Sequence, residues 1–102
     1  MFSINDLSHG FPVNKRLMLN VLYDTLDKLG FHLEKANSER GTLIVLSSGP
    51  ESRRMRIACE GSNNVNQSTV RVFPDIMDDT GRQTAKLLMD EILATVKSSL
   101  KN

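Results

Sequence analysis

Two apolar stripes at helical spacing, one near each end of the chain, frame a middle region where apolar and polar residues alternate. In the first, NKRLMLNVLYDTLDKLGF, Met18, Val21, Leu22, Leu26 and Leu29 recur at three- and four-residue steps, which puts them on one side of an α-helix. Asn14 stands where a side-chain oxygen can cap the first turn. Gly30 supplies the left-handed residue that ends many helices, and Phe31 behind it can fold back onto Leu26. In the second stripe, Asp79 or Thr80 is the expected cap, and Ala85, Leu88, Met89, Ile92, Val96 and Leu100 form the apolar side. Asp78 and Asp79 at its start, with Lys97 and Lys101 at its end, complement the helix dipole.

Between the helices the period drops to two. Phe31 and Leu33 alternate with His32 and Glu34, as in a half-buried strand. The run from Asn37 to Gly41 reads as a hairpin loop. Thr42 to Ser48 follows, with large aliphatics on both faces, and Gly49-Pro50 breaks it. Met55, Ile57 and Cys59 alternate with Arg54, Arg56 and Ala58. The polar run from Gly61 to Gln67 is a turn or loop. Val70 and Val72 then alternate with Thr69, Arg71 and Phe73, and Pro74 ends the pairing.

At 102 residues the chain has room for one core, so residues 1–102 are expected to form a single domain. With 39% apolar and 25% charged residues the composition is that of a folded protein, and with no Trp and one Tyr the core must be largely aliphatic. Short connections between strands favour an antiparallel meander. Two amphipathic helices and one sheet can bury their apolar sides only against each other. The expected fold is therefore α+β: a two-layer sandwich, with an antiparallel meander of three to four strands and both helices on one face. Val21, Leu26, Val45, Ile57, Val72, Met89 and Ile92 are expected in its core.

The run Leu29-Gly30-Phe31, the alternating strand after it, and Glu39-Arg40-Gly41-Thr42-Leu43 resemble small bacterial helix–strand–strand–strand–helix domains. Such domains occur in lipoproteins and outer-membrane assembly accessories. The resemblance spans residues 14–100 in pattern and implies the same layered fold, but no catalytic residue. The chain lacks the signal and N-terminal acylated cysteine of those lipoproteins, so their location does not carry over. The formal charge of +1 gives no overall attraction to nucleic acid or membranes, and one cysteine excludes an internal disulfide. A cytoplasmic protein with no membrane partner is expected.

Candidate chemistry is sparse. His9, in a Ser-His-Gly turn, and His32, on the outer side of an edge strand, read as solvated histidines without metal-ligand spacing. Cys59 alternates with Ile57 and Met55, which makes it a buried, unreactive thiol. Asp75, Asp78 and Asp79 lack the glycine and distal glutamate of a calcium loop, and helix capping accounts for them. Gly49 to Arg54 has no lysine and leads into a strand, so it is not a phosphate loop. No cofactor and no enzymatic activity is expected.

The surface that stands out is the sheet face away from the helices. If Leu43 and Val45 face inward, Ile44 and Leu46 lie outward beside Arg54, Arg56, Arg71 and Phe73. Aliphatics ringed by arginine match the composition of a protein interface. The expected role is a non-enzymatic interaction module that binds a protein partner, in the simplest case as a homodimer. The alternative is nucleic-acid or other anion binding through the same arginines.

Overall fold

The computed structural model describes residues 7–100, apart from the Leu100 side chain; Lys101 lies outside the described residues. The elements run β1 (Ser8–Phe11), α1 (Lys15–Leu29), β2 (His32–Asn37), β3 (Thr42–Leu46), β4 (Arg54–Gly61), β5 (Ser68–Pro74) and α2 (Asp79–Leu100). The fold is α+β, and its sheet has five strands in the order β1-β5-β4-β3-β2, every neighbouring pair antiparallel. From β2 to β5 the sheet is the expected meander. The strand missing from the expected count of three to four is β1, which precedes α1 and docks on the far side of β5.

The four-residue β1 has no alternating apolar signature, because only Phe11 in it is buried. Its pairing with β5 sets His9 opposite Val70 and Phe11 opposite Ser68. His9 is therefore a strand residue and not part of a turn. Its ring lies 4.8 Å from that of Phe11, with Nδ1 2.7 Å from the Gly10 carbonyl oxygen. The chain then crosses the sheet through α1, so β1 and β2 occupy opposite edges.

Both ends of α1 follow from local chemistry. The Asn14 side chain accepts from the Leu17 amide at 2.9 Å. At the other end Gly30 is left-handed with φ 70°, and the Phe31 amide donates to the Leu26 carbonyl at 3.0 Å. The α2 cap falls one residue earlier than the sequence pattern suggests. Asp78, rather than Asp79 or Thr80, accepts from the Gly81 amide at 2.7 Å, and the same carboxylate meets Arg53 at 3.2 Å. Asp79 occupies the first turn and Lys97 the last, as the dipole favours.

The core is one-sided. Leu43, Val45, Met55, Ile57, Cys59, Val70 and Val72 face the helices and are at most 2% exposed. Met18, Leu22 and Leu26 of α1, with Leu88, Met89 and Ile92 of α2, close over them. All seven residues expected in the core belong to this cluster. By contrast β2, expected to be half-buried, is exposed along its whole length. It lies at the sheet edge, and a bulge between Leu33 and Lys35 interrupts its alternation.

Gly41 shows how tightly the β2–β3 hairpin is seated. Its φ is 72°, and a Cβ there would stand 2.2 Å from the Cys59 carbonyl oxygen. The Gly41 carbonyl in turn accepts from the Cys59 amide at 2.7 Å. Only glycine permits both the left-handed turn and this approach of backbone to backbone.

A polar contact joins the helices. Thr25 Oγ1 lies 2.8 Å from the Val21 carbonyl oxygen and 3.0 Å from Thr95 Oγ1, which is 2.8 Å from the Glu91 carbonyl oxygen. Two hydroxyl protons serve three contacts, so the pair is coupled. Thr25→Val or Thr95→Val alone should cost about 1 kcal/mol in denaturant unfolding. The double variant should cost less than the sum by roughly 0.5 kcal/mol or more; strict additivity would show that the two hydroxyls do not interact. Ile57→Ala, at a fully buried position, should cost about 2–5 kcal/mol; a loss of only a few tenths would contradict the packing described here.

Candidate functional site

The sheet face away from the helices is laid out by strand register. One row runs Lys35–Ile44–Arg56–Phe73 across β2, β3, β4 and β5. On one side of it lies Asn37–Thr42–Ala58–Arg71–Ser8, and on the other His32–Leu46–Arg54. Ile44, Leu46, Arg54, Arg56, Arg71 and Phe73 therefore share one face, as their alternation predicts. Ile44 and Leu46 are half-buried rather than bare, while Phe73 is 39% exposed. Ile44 stands between Lys35 and Arg56 in its row, and Leu46 between His32 and Arg54.

The three arginines are not equivalent. Arg54 reaches Glu34 at 3.0 Å, across the intervening β3. Arg71 pairs with Glu60 on the neighbouring strand. Arg56 has an aromatic partner instead: its guanidinium carbon lies 4.7 Å from the centre of the Phe73 ring. The expected cluster of three free cations is thus one free guanidinium between two ion pairs. Because those pairs are about half exposed, each contributes little to stability, and their main effect is to cancel local charge.

A different cationic group gathers at the hairpin corner of the same face. A shallow hollow of about 390 Å³ is lined by Lys35, Asn37, Arg40, Thr42, Ile44 and Arg56, with no carboxylate among its walls. No carboxylate of the described residues is within ion-pair distance of Lys35, Arg40 or Arg56. Strict alternation from Phe31 and Leu33 would point Lys35 inward, so the sequence pattern conceals it. The bulge turns it outward, opposite Ile44. A lysine in the inward phase of a strand was the available signal.

The remaining candidates are dispersed. His9 sits on β1 and His32 on β2, at opposite edges of the sheet. Among the described residues no three His, Cys, Asp or Glu side chains come together as a metal site. Ile76 and Met77, in the connection from β5 to α2, are 59% and 49% exposed. No helix among the described residues is long and apolar enough to cross a membrane.

No family model matches the chain, and no curated protein matches it either. Among solved structures it is similar to that of Ara h 8.0201, with 11% sequence identity and a TM-score of 0.45, over 93% of this chain and 95% of that one. A likeness at that level says nothing of what this chain binds.

Cys59 is fully buried between Ile57 and the β4–β5 pairing. Burial pushes its thiol above the ordinary value of 9.0; Lys15 pulls it partly back, and Glu60 adds to the rise. Above that ordinary value the unfolded chain loses the thiol proton while the folded chain keeps it, so stability must fall as pH rises. Denaturant titrations should show this fall in the native protein, with a smaller one in Cys59→Ala. Without denaturant, a thiol reagent should modify Cys59 far more slowly than a free thiol; equal rates would contradict its burial.

Proposed function

We propose that this chain is a non-enzymatic interaction module whose open sheet face receives a protein partner, in the simplest case a second copy of itself. The observation that carries the reading is the anatomy of that face. Ile44, Leu46 and Ala58 lie on the inner strands β3 and β4 and Phe73 on β5, with Arg56 between Ile44 and Phe73 and the Glu34–Arg54 and Glu60–Arg71 pairs to either side. Aliphatic and aromatic groups interleaved with arginine match the composition of a protein interface.

The charges favour self-pairing. Glu34–Arg54 and Arg71–Glu60 carry both signs on one face. Two copies related by a two-fold axis can therefore exchange carboxylate partners between these two ion pairs. The face is small. Five strands about 4.8 Å apart and some six residues long present roughly 500 Å² per chain, at the low end of what specific association needs. The association is accordingly weak and reversible. The lone buried thiol suits a reducing compartment, and we place the protein in the cytoplasm on that basis.

Light scattering across a concentration series tests the proposal. The mass should rise toward that of a dimer with concentration, with a dissociation constant of roughly micromolar or weaker. Ile44→Asp with Leu46→Asp should hold the protein at monomer mass. Those two side chains are half-buried, so Arg56→Glu with Phe73→Ser serves as a second variant that spares them. Monomer mass in the native protein up to about millimolar concentration, or an unchanged dimer in both variants, overturns self-association through this face.

A further inference from the structure

We infer that the hollow at the hairpin corner of the sheet is a binding site for a phosphate group. Three cations from separate segments meet there: Lys35 from β2, Arg40 from the β2–β3 turn and Arg56 from β4. They stand without carboxylate partners among the described residues, although the protein as a whole is nearly neutral at +1. Elsewhere on the face Arg54 and Arg71 are each matched by a glutamate. On this face the unmatched charge is thus confined to one recess.

The donors around the hollow suit an oxyanion. Lys35 and Arg56 flank Ile44 from the two neighbouring strands, so their backbones are about 10 Å apart, and both side chains line the same recess. Phe73 occupies the face of the Arg56 guanidinium, which leaves the N–H groups around its rim to donate. Asn37 Oδ1 accepts from the Arg40 amide at 3.1 Å. That bond leaves the Nδ2 end of the Asn37 amide as a donor, and Asn37 and Thr42 both line the hollow. Three positive charges with neutral donors between them match a dianion better than a single carboxylate, and Arg with Lys is the usual pairing for phosphate.

The inference does not rest on self-association; Ile44 and Arg56 belong to both surfaces, so the titration is run at a concentration where light scattering gives monomer mass. Isotope-labelled protein is titrated with inorganic phosphate at constant ionic strength, with chloride as the balancing anion. Saturable amide shifts should centre on residues 35–42 and Arg56, and sulfate should compete. Lys35→Gln and Arg40→Gln should each weaken binding roughly tenfold, the loss expected for one charge-assisted contact. Arg71→Gln makes the same charge change elsewhere on the face and should alter affinity less than about twofold. The spectra themselves report that each variant remains folded.

A parallel titration with a single-stranded oligonucleotide identifies the source of the phosphate. Binding of the oligonucleotide alone, lost with Arg40→Gln and retained with Arg71→Gln, assigns the site to a polymer backbone. Binding of free phosphate with the same pattern assigns it to a small phosphorylated ligand. Shifts that do not saturate, that spread over the whole face, or that weaken as much with Arg71→Gln as with Arg40→Gln overturn the inference. So does the absence of response to either probe.

Discussion

The molecule depends on burial from one side. β3, β4 and β5, with Phe11 of β1, put their inward residues under two helices, and at Leu43, Val45, Met55, Ile57, Cys59 and Val70 the exposure falls to zero. Hydrophobic burial of this kind is non-directional and would tolerate some sliding between the layers. Directional contacts fix the elements at points: the Thr25–Thr95 hydroxyl pair joins the two helices, the Arg53–Asp78 bridge holds the start of α2 to the entry of β4, and the Lys15 amide and Nζ donate to the Ser62 and Glu39 carbonyls at 3.1 and 2.7 Å, tying α1 to the sheet's connections. Each ties one element to another at a point where the aliphatic core alone would not set the register.

Because both helices lie on one layer, the opposite face of the sheet has no cover of its own. Its aliphatics Ile44 and Leu46 are half-buried and lie beside long charged neighbours in their rows. Its charges are sorted by cross-strand geometry: Glu34 reaches Arg54 and Glu60 reaches Arg71, which neutralises the positions to either side of the Arg56 row. At the hairpin corner no acidic residue shares a row with Lys35 or Arg56. The uneven surface comes from which strands are neighbours and not from an excess of positive charge in the chain.

The bulge in β2 connects these features. In an edge strand a bulge twists the backbone away and discourages pairing with another sheet. Here it also brings Glu34 within reach of Arg54 and turns Lys35 to the open face. One extra residue in one strand thus supplies both a neutralised arginine and an unneutralised lysine.

The two helices, their Asn14 and Gly30 caps, the alternation of β3, β4 and β5 and the identity of the core were legible in the sequence. Those signals are local: periodicity and capping act over a few residues and do not depend on what lies across the sheet. The six candidate residues also fell on the face that their alternation assigns. The tertiary structure alone decided β1, which is too short for a periodic signal and exists only because β5 offers it an edge. It alone decided the bulge, since a one-residue register shift is settled by the partner strand. It decided that Arg54 and Arg71 are paired while Lys35, Arg40 and Arg56 gather without carboxylates. Ion pairing depends on distances between strands that the linear order does not contain, and Glu34 lies twenty residues from the arginine it meets.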